Sequence, residues 1–437
     1  MCGIVAISGT KPVADRLLSG LARLEYRGYD SAGIATLDNG RMARRRAEGK
    51  IKALKERLEG DPLGGTTGIA HTRWATHGRP SEPNAHPHLS GRVAIVHNGI
   101  IENYMELKSE LEGADRVFTS ETDSEVIAQL FDHLLGEGLG VEAAFEGMLA
   151  RLTGAFAIAA IVEDEPGLLL GARRGSPLVV GHGKGETYLG SDSIALAALT
   201  RDVTYLEEGD WVIARPDRVE IYDGNGRPAD RPKVRSRVQS TMIELGEFEH
   251  FMLKEIYEQP DSLTRTILPY IDQGAQSVSL GEAADSLFTQ ADRAVGVACG
   301  TAYFAAATAK YWFERLARLP LETDIASEFR YRDPVLPASG PALFVSQSGE
   351  TADTLAALRY CKAEGRPTLA IVNVPESSIA READAIVPTR AGPEIGVAST
   401  KAFTAQLAVL AAAAVSAGRA RGQLDEAAMA AHAADLM

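Results

Sequence analysis

Apolar positions along the chain fall into two regimes. Up to about residue 225 they come as short runs and alternations. Residues 4–8 (IVAIS) read as a buried strand, and Val13, Leu17, Leu18, Leu21 and Leu24 then share one helical face. SAGIATL and MARRRA flank Asp38-Asn39-Gly40, a strong hairpin signal. Further strands are predicted at 68–73, 93–98, 155–162, 177–181 and 211–214, and helices at 124–135 and 142–152. Strands with few intervening helices predict an α+β domain in which sheet packs on sheet. Residues 223–240 are polar and carry Gly and Pro, which predicts a linker. Beyond it, strands at 294–299, 342–346, 368–374 and 385–388 alternate with helices at 301–317, 351–364 and 400–418. That βαβ rhythm predicts an α/β, doubly wound parallel sheet.

Bulk properties narrow the picture. A chain of 437 residues is too long for one core, so two or three domains are expected. A formal charge of −14 disfavours nucleic acid and membrane surfaces as main partners. The Arg44–Arg46 run reads as a solvated edge. Three cysteines, Cys2, Cys299 and Cys361, form neither a disulfide framework nor a metal-type spacing, so no metal or cofactor is expected. Cys299 reads as a packed small hydrophobe. No signal peptide opens the sequence, and the most apolar helical stretch, about 405–417, reads as too short to span a bilayer. A reducing cytoplasm is the expected location.

Cys2 follows Met1 directly. If Met1 is removed, a thiol and a free α-amine belong to one residue. The amine, with a pKa near ~8, can take the thiol's proton and make the stronger nucleophile. HTRWATHG (71–78) offers Arg73, Thr76 and His77 in one loop, VHNG (96–99) ends a strand on Asn98 and Gly99, and ETD (121–123) sets Asp123 before a helix. Asn-Gly is also an ordinary turn, Asp123 an ordinary N-cap, and His71, His77 and His86 could each be structural. Together these groups suit amide hydrolysis of a free amino acid. Cys2 would attack, Asn98 and Gly99 would hold the oxyanion, Arg73 the α-carboxylate and Asp123 the α-ammonium. In the second half, ALFVSQSGETADT (342–354) sets Ser346, Gln347, Ser348 and Thr351 at a helix N-terminus, an anion site that needs no lysine. ACGTAY (298–303) and GVASTKAF (396–403) repeat the arrangement. Helix capping alone would explain one such hydroxyl.

The runs CGIVAISG, LEYRGYDSAG (24–33), HTRWATHG, PNAHPH (83–88), HNGIIEN (97–103) and SETD (120–123) resemble the N-terminal-nucleophile glutamine amidotransferase domain. More narrowly they resemble the glutamine–fructose-6-phosphate aminotransferase (isomerizing) family. The resemblance implies an αββα domain over 1–222, with Cys2 as nucleophile and Asn98 and Gly99 as oxyanion pair. It places Arg27, Arg73, Thr76, His77, His86 and Asp123 around glutamine, and Trp74 at the ammonia passage. The three second-half loops, with DIASEFRYR (324–332) and KEIYEQP (254–260), are similar to the sugar-isomerase (SIS) domain of that family. This implies a linker and connecting helices over 223–285 and an SIS domain over 286–425. Fructose 6-phosphate would lie against Thr301, Ser346, Gln347, Ser348, Thr351, Val397 and Ser399. Ala302 stands where the family commonly has Ser. The family's second SIS domain, with its isomerase Glu, ring-opening His and Lys, has no counterpart in the sequence. The implied reaction makes glucosamine 6-phosphate from fructose 6-phosphate and L-glutamine, in a homodimer. This chain is expected to keep the glutaminase half-reaction alone and to expose an apolar patch; the alternative is a glutaminase with a regulatory sugar-phosphate-binding SIS module.

Overall fold

A computed structural model describes residues 2–25, 28–236 and 245–437. The chain divides into two compact units, Met1–Glu244 and Leu245–Met437. In the first, two antiparallel sheets of eight and six strands are formed by the described residues. Gly3–Ser8 lies inside the larger sheet, between Thr67–Arg73 and Thr187–Gly190. Val93–Ile101 pairs with Gly154–Val162 in the smaller one. Successive side chains of a strand face opposite ways, and here both faces are buried. Ile4 and Ala6 join Ile69, Ala94, Val96, Ala157 and Ala159 in the core between the sheets. Val5 and Ile7 instead pack with Leu17, Leu21 and Leu54, from helices Ala14–Ala22 and Ile51–Gly60. On the far side, Phe156 and Ile158 pack with Phe131 and Phe145 of helices Glu125–Gly136 and Val141–Arg151. The result is an αββα layering. Each fully buried large side chain contributes about 1.5–3 kcal/mol, so the three cores rather than local propensity hold it.

The hairpin at Asn39-Gly40 forms as the sequence predicts, with both residues at positive φ (50° and 78°). The polar stretch after residue 222 differs from the linker expected there in its described part. Val234 pairs with Val203, and Arg231 makes an ion pair of 2.8 Å with the fully buried Asp210. Strand pairing and this ion pair tie the stretch to the first unit, while Arg227, Asp230, Lys233 and Arg235 stay exposed.

The second unit holds a five-stranded parallel sheet. Its order is Leu321–Ile325, Ala294–Ala298, Ala342–Ser346, Thr368–Val372, Ala385–Pro388. Chain order reverses between the second and third of these. In open α/β sheets such a switch point leaves a crevice at the carboxyl ends of the two strands. The helix Lys401–Ala420 is longer than the apolar stretch read from sequence and could by length cross a membrane, but 72% of its apolar window is buried inside the unit. It packs in the core with Phe313, Leu343 and Leu369.

Candidate functional site

Strand parity and register assemble the first site. Ile4 and Ala6 face the inter-sheet core, so Cys2 lies on the same side of its strand. Gly3 pairs with Thr72, which sets Arg73 beside Cys2. Ile69 faces inward, and so do His71 and Arg73; Ala94 and Val96 face inward, and so does Asn98. Three strands from two sheets therefore point their terminal polar residues into one place. A small pocket there is lined by Cys2, His71, Arg73, Trp74, Thr76, His77, His86, His97, Gly99, Thr122, Asp123 and Ser124.

The half-buried Cys2 thiol accepts a hydrogen bond from Trp74 N–H (3.3 Å) and donates to Trp74 O (3.5 Å). Burial pushes the thiol up from its ordinary value, against the Trp74 N–H contact, which lowers it; Asp30 raises it further. Asn98 Nδ2–H donates to the Cys2 carbonyl at 3.2 Å. Gly99 sits mid-strand opposite Phe156, not in a turn, with φ +131°; a Cβ there would lie 1.9 Å from Ala155 O. Asp123 is buried; its Oδ2 accepts from Ile101 N–H (2.8 Å), and its Oδ1 stands 3.9 Å from His77 Nδ1. Arg73 is buried too, and its fork donates to the carbonyls of His77, Gly78 (3.0 Å) and Arg79 (3.4 Å). It thus organises its own loop. Thr76 and Trp74 are exposed at the rim, the Trp74 ring edge-on to Tyr29 at 5.2 Å. His86 is buried, and its Nδ1 accepts from His97 N–H (3.1 Å). Arg27 lies outside the described residues.

Several supporting groups carry no local sequence signal. Asp30 accepts the Ala75 N–H and so ties down the loop after Arg73. Arg44 and Arg46 are not a solvated edge. Arg46 donates to Pro83 O and Ala85 O (2.9 Å each) and Arg44 to Pro87 O (2.9 Å), clamping the segment that carries His86. Burial lowers the pKa of Arg44 to about 10. Strand parity would have pointed to His71, but nothing local points to the arginine contacts, which span about 40 residues.

In the second unit the two loops at the switch point are those after Ala294–Ala298 and Ala342–Ser346. The first of them meets the helix that follows the second where Thr354 Oγ1 lies 4.0 Å from Cys299 Sγ. Ser346 Oγ accepts from Gly349 N–H (3.0 Å) and lies 3.2 Å from Thr351 Oγ1. Ser348 Oγ accepts from Glu350 N–H (3.2 Å). Thr351 occupies the N-cap position of Ala352–Ala363 but its side chain makes no capping bond, so capping does not account for it. Gln347 is half-buried, and Thr301 is exposed in the first turn of Gly300–Trp312. In the third loop Val397 is exposed, and Ser399 Oγ donates to Glu394 (2.9 Å). That loop is fixed from below by KEIYEQP: Glu255 accepts the Ile395 and Gly396 N–H groups, and Glu258 pairs with the buried Lys401 at 2.6 Å. Cys361 is buried, which pushes its thiol up to about 12.

Residues 71–198 match the family described as glutamine amidotransferase domain, and residues 287–416 the SIS domain family. The glutamine–fructose-6-phosphate aminotransferase (isomerizing) of Brucella abortus biovar 1 is 55% identical over 426 residues, 98% of this chain and 70% of that protein. The protein of the same name from Caulobacter vibrioides is 55% identical over 427 residues, again covering 98% and 70%. Among solved structures, the C-terminal domain of glucosamine-fructose-6-phosphate aminotransferase from Francisella tularensis aligns with a TM-score of 0.43. It is 44% identical, over 44% of this chain and 54% of that chain.

Proposed function

The chain belongs to the glutamine–fructose-6-phosphate aminotransferase (isomerizing) family, and on that premise we propose how its own residues carry the reaction. Glutamine and fructose 6-phosphate give glutamate and glucosamine 6-phosphate. Removal of Met1 leaves the α-amine on Cys2, where it takes the thiol proton. Sulfur attacks the side-chain carbonyl carbon of glutamine. The oxyanion is stabilised by Asn98 Nδ2–H and Gly99 N–H. The carbon–nitrogen bond breaks as the proton passes to the leaving nitrogen, releasing ammonia and leaving a thioester; water then releases glutamate. Asp123 Oδ1 takes the substrate ammonium. Arg73 takes the carboxylate by exchanging a loop carbonyl for it, with Thr76, His77, His86 and Arg27 around the substrate and Trp74 on the ammonia route.

The sugar phosphate lies at the switch point against Thr301, Ser346, Gln347, Ser348 and Thr351, with Val397 and Ser399 from the third loop. Backbone N–H groups and hydroxyls there suit a phosphate. A homodimer and a cytoplasmic location complete the reading. Phe304 and Tyr311, 61% and 70% exposed and seven residues apart on one helix, support a covered face. Sedimentation of the purified chain checks it.

The observation that carries the glutaminase half is the convergence of Cys2, Arg73 and Gly99 from the ends of three strands on one pocket. The test is an assay of the purified chain with both substrates, following glutamate and glucosamine 6-phosphate together. Cys2→Ala is expected to abolish glutamate release; continued release would overturn the nucleophile assignment.

A further inference from the structure

The carboxamide of Asn98 could face either way round, and its surroundings decide. The Cys2 carbonyl, 3.2 Å off, can only accept, so Nδ2 is on that side. Oδ1 therefore faces His71 Nε2, at 3.0 Å, with both groups buried. Oδ1 can only accept as well, so His71 Nε2 carries the ring proton. The imidazole is held in place by its stack on His86, with ring centroids 4.1 Å apart. Burial lowers its pKa to about 3, which keeps the ring neutral. The neutral ring commits its single proton to the amide that faces the nucleophile.

We propose that His71 is a positioning residue for amide hydrolysis: its Nε2–H holds the Asn98 carboxamide with Nδ2 turned toward the developing oxyanion. This rests on the roles given above to Cys2 and Asn98. Without His71 the amide is free to turn its oxygen toward the oxyanion, where it repels instead of donating. Binding of glutamine in its ground state uses Arg73 and Asp123 and does not need that donor. The loss therefore falls on the transition state alone.

The experiment compares His71→Phe and His71→Gln in the full chain. Phe keeps the stack and lacks the donor, while the Gln side-chain amide can donate from a similar distance. Two rates are followed: steady-state glutamate release, and alkylation of Cys2 by iodoacetamide, a displacement at carbon that forms no oxyanion. For His71→Phe, kcat is expected to fall on the order of tenfold or more, approaching the loss seen when an oxyanion donor is removed outright. KM and the alkylation rate should stay within about twofold of the parent, and His71→Gln should recover part of kcat. Unchanged kcat in His71→Phe overturns the proposal. So does a fall in alkylation matching the fall in kcat without recovery by Gln, since that marks a damaged fold. Glutamate release by Cys2→Ala would instead sink the underlying reading, and the two failures are told apart by which variant shows them.

Discussion

Gly99 shows how little room surrounds the reacting groups. Its φ of +131° is a conformation that side chains rarely adopt, and a Cβ would sit 1.9 Å from Ala155 O. Gly99→Ala is therefore expected to push Val93–Ile101 off its partner strand. The expected cost is at least ~1–3 kcal/mol of stability together with loss of glutamate release. Urea unfolding and the glutamate assay, run side by side, check both, and a fully active Gly99→Ala would refute the oxyanion geometry. At this scale the sequence was misleading about shape. Asn98-Gly99 has the composition of a turn, yet the ladder runs on through it to Ile101. The glycine is needed for the close approach of a neighbouring strand, which no local pattern encodes. Arg44 and Arg46 were opaque for the same reason: their acceptors are carbonyls some 40 residues away.

Elements were legible where both faces or a full helical stripe are apolar. Gly3–Ser8, Gly154–Val162 and Ala342–Ser346 all read directly from continuous apolar runs. The helix Ile51–Gly60 did not, since only Ile51, Leu54 and Leu58 of its ten residues are buried. Motifs quoted for their resemblance gain a physical reason at this scale. KEIYEQP is a foundation: Glu255 satisfies the buried Ile395 N–H and the partly buried Gly396 N–H of the loop that carries Val397 and Ser399. Glu255→Ala should leave those donors unpaired at a cost of about 1–3 kcal/mol and loosen the loop. Calorimetric titration with fructose 6-phosphate should then show weaker binding, while glutamate release without sugar is unaffected. Equal sugar affinity in the variant would show that the loop does not contact the sugar.

For the whole molecule, the cluster of buried histidines ties stability to pH. His71 and His97 are held neutral by burial, with values near 3 and 4, and burial likewise takes His86 and His88 well below their ordinary range. Above pH ~6.5 folded and unfolded chains are both neutral at these sites and nothing changes. Below it the unfolded chain binds protons that the folded one does not. Stability is then lost by up to ~1.4 kcal/mol per histidine per pH unit, down to the folded values. The chain has three tryptophans, Trp74 and Trp211 in the first unit and Trp312 in the second. In a Trp312→Phe variant, emission reports the first unit. Its urea midpoint should drop markedly from pH 7 to 5 and little from pH 9 to 7. A midpoint level between pH 7 and 5 would mean that the cluster takes up protons without unfolding.

The alternation along Gly3–Ser8 has a consequence for how the gene can vary. Ile4 and Ala6 serve the inner core, Val5 and Ile7 the outer one, and Cys2 takes its direction from the same count. Exchanging one aliphatic residue for another changes a volume and leaves every direction intact. Deleting or inserting one residue reverses the strand's facing from that point and turns the sulfur out of its pocket. In a saturation library this segment should therefore tolerate conservative substitution and reject every single-codon insertion or deletion, although none of Gly3–Ser8 is given a role in the proposed chemistry.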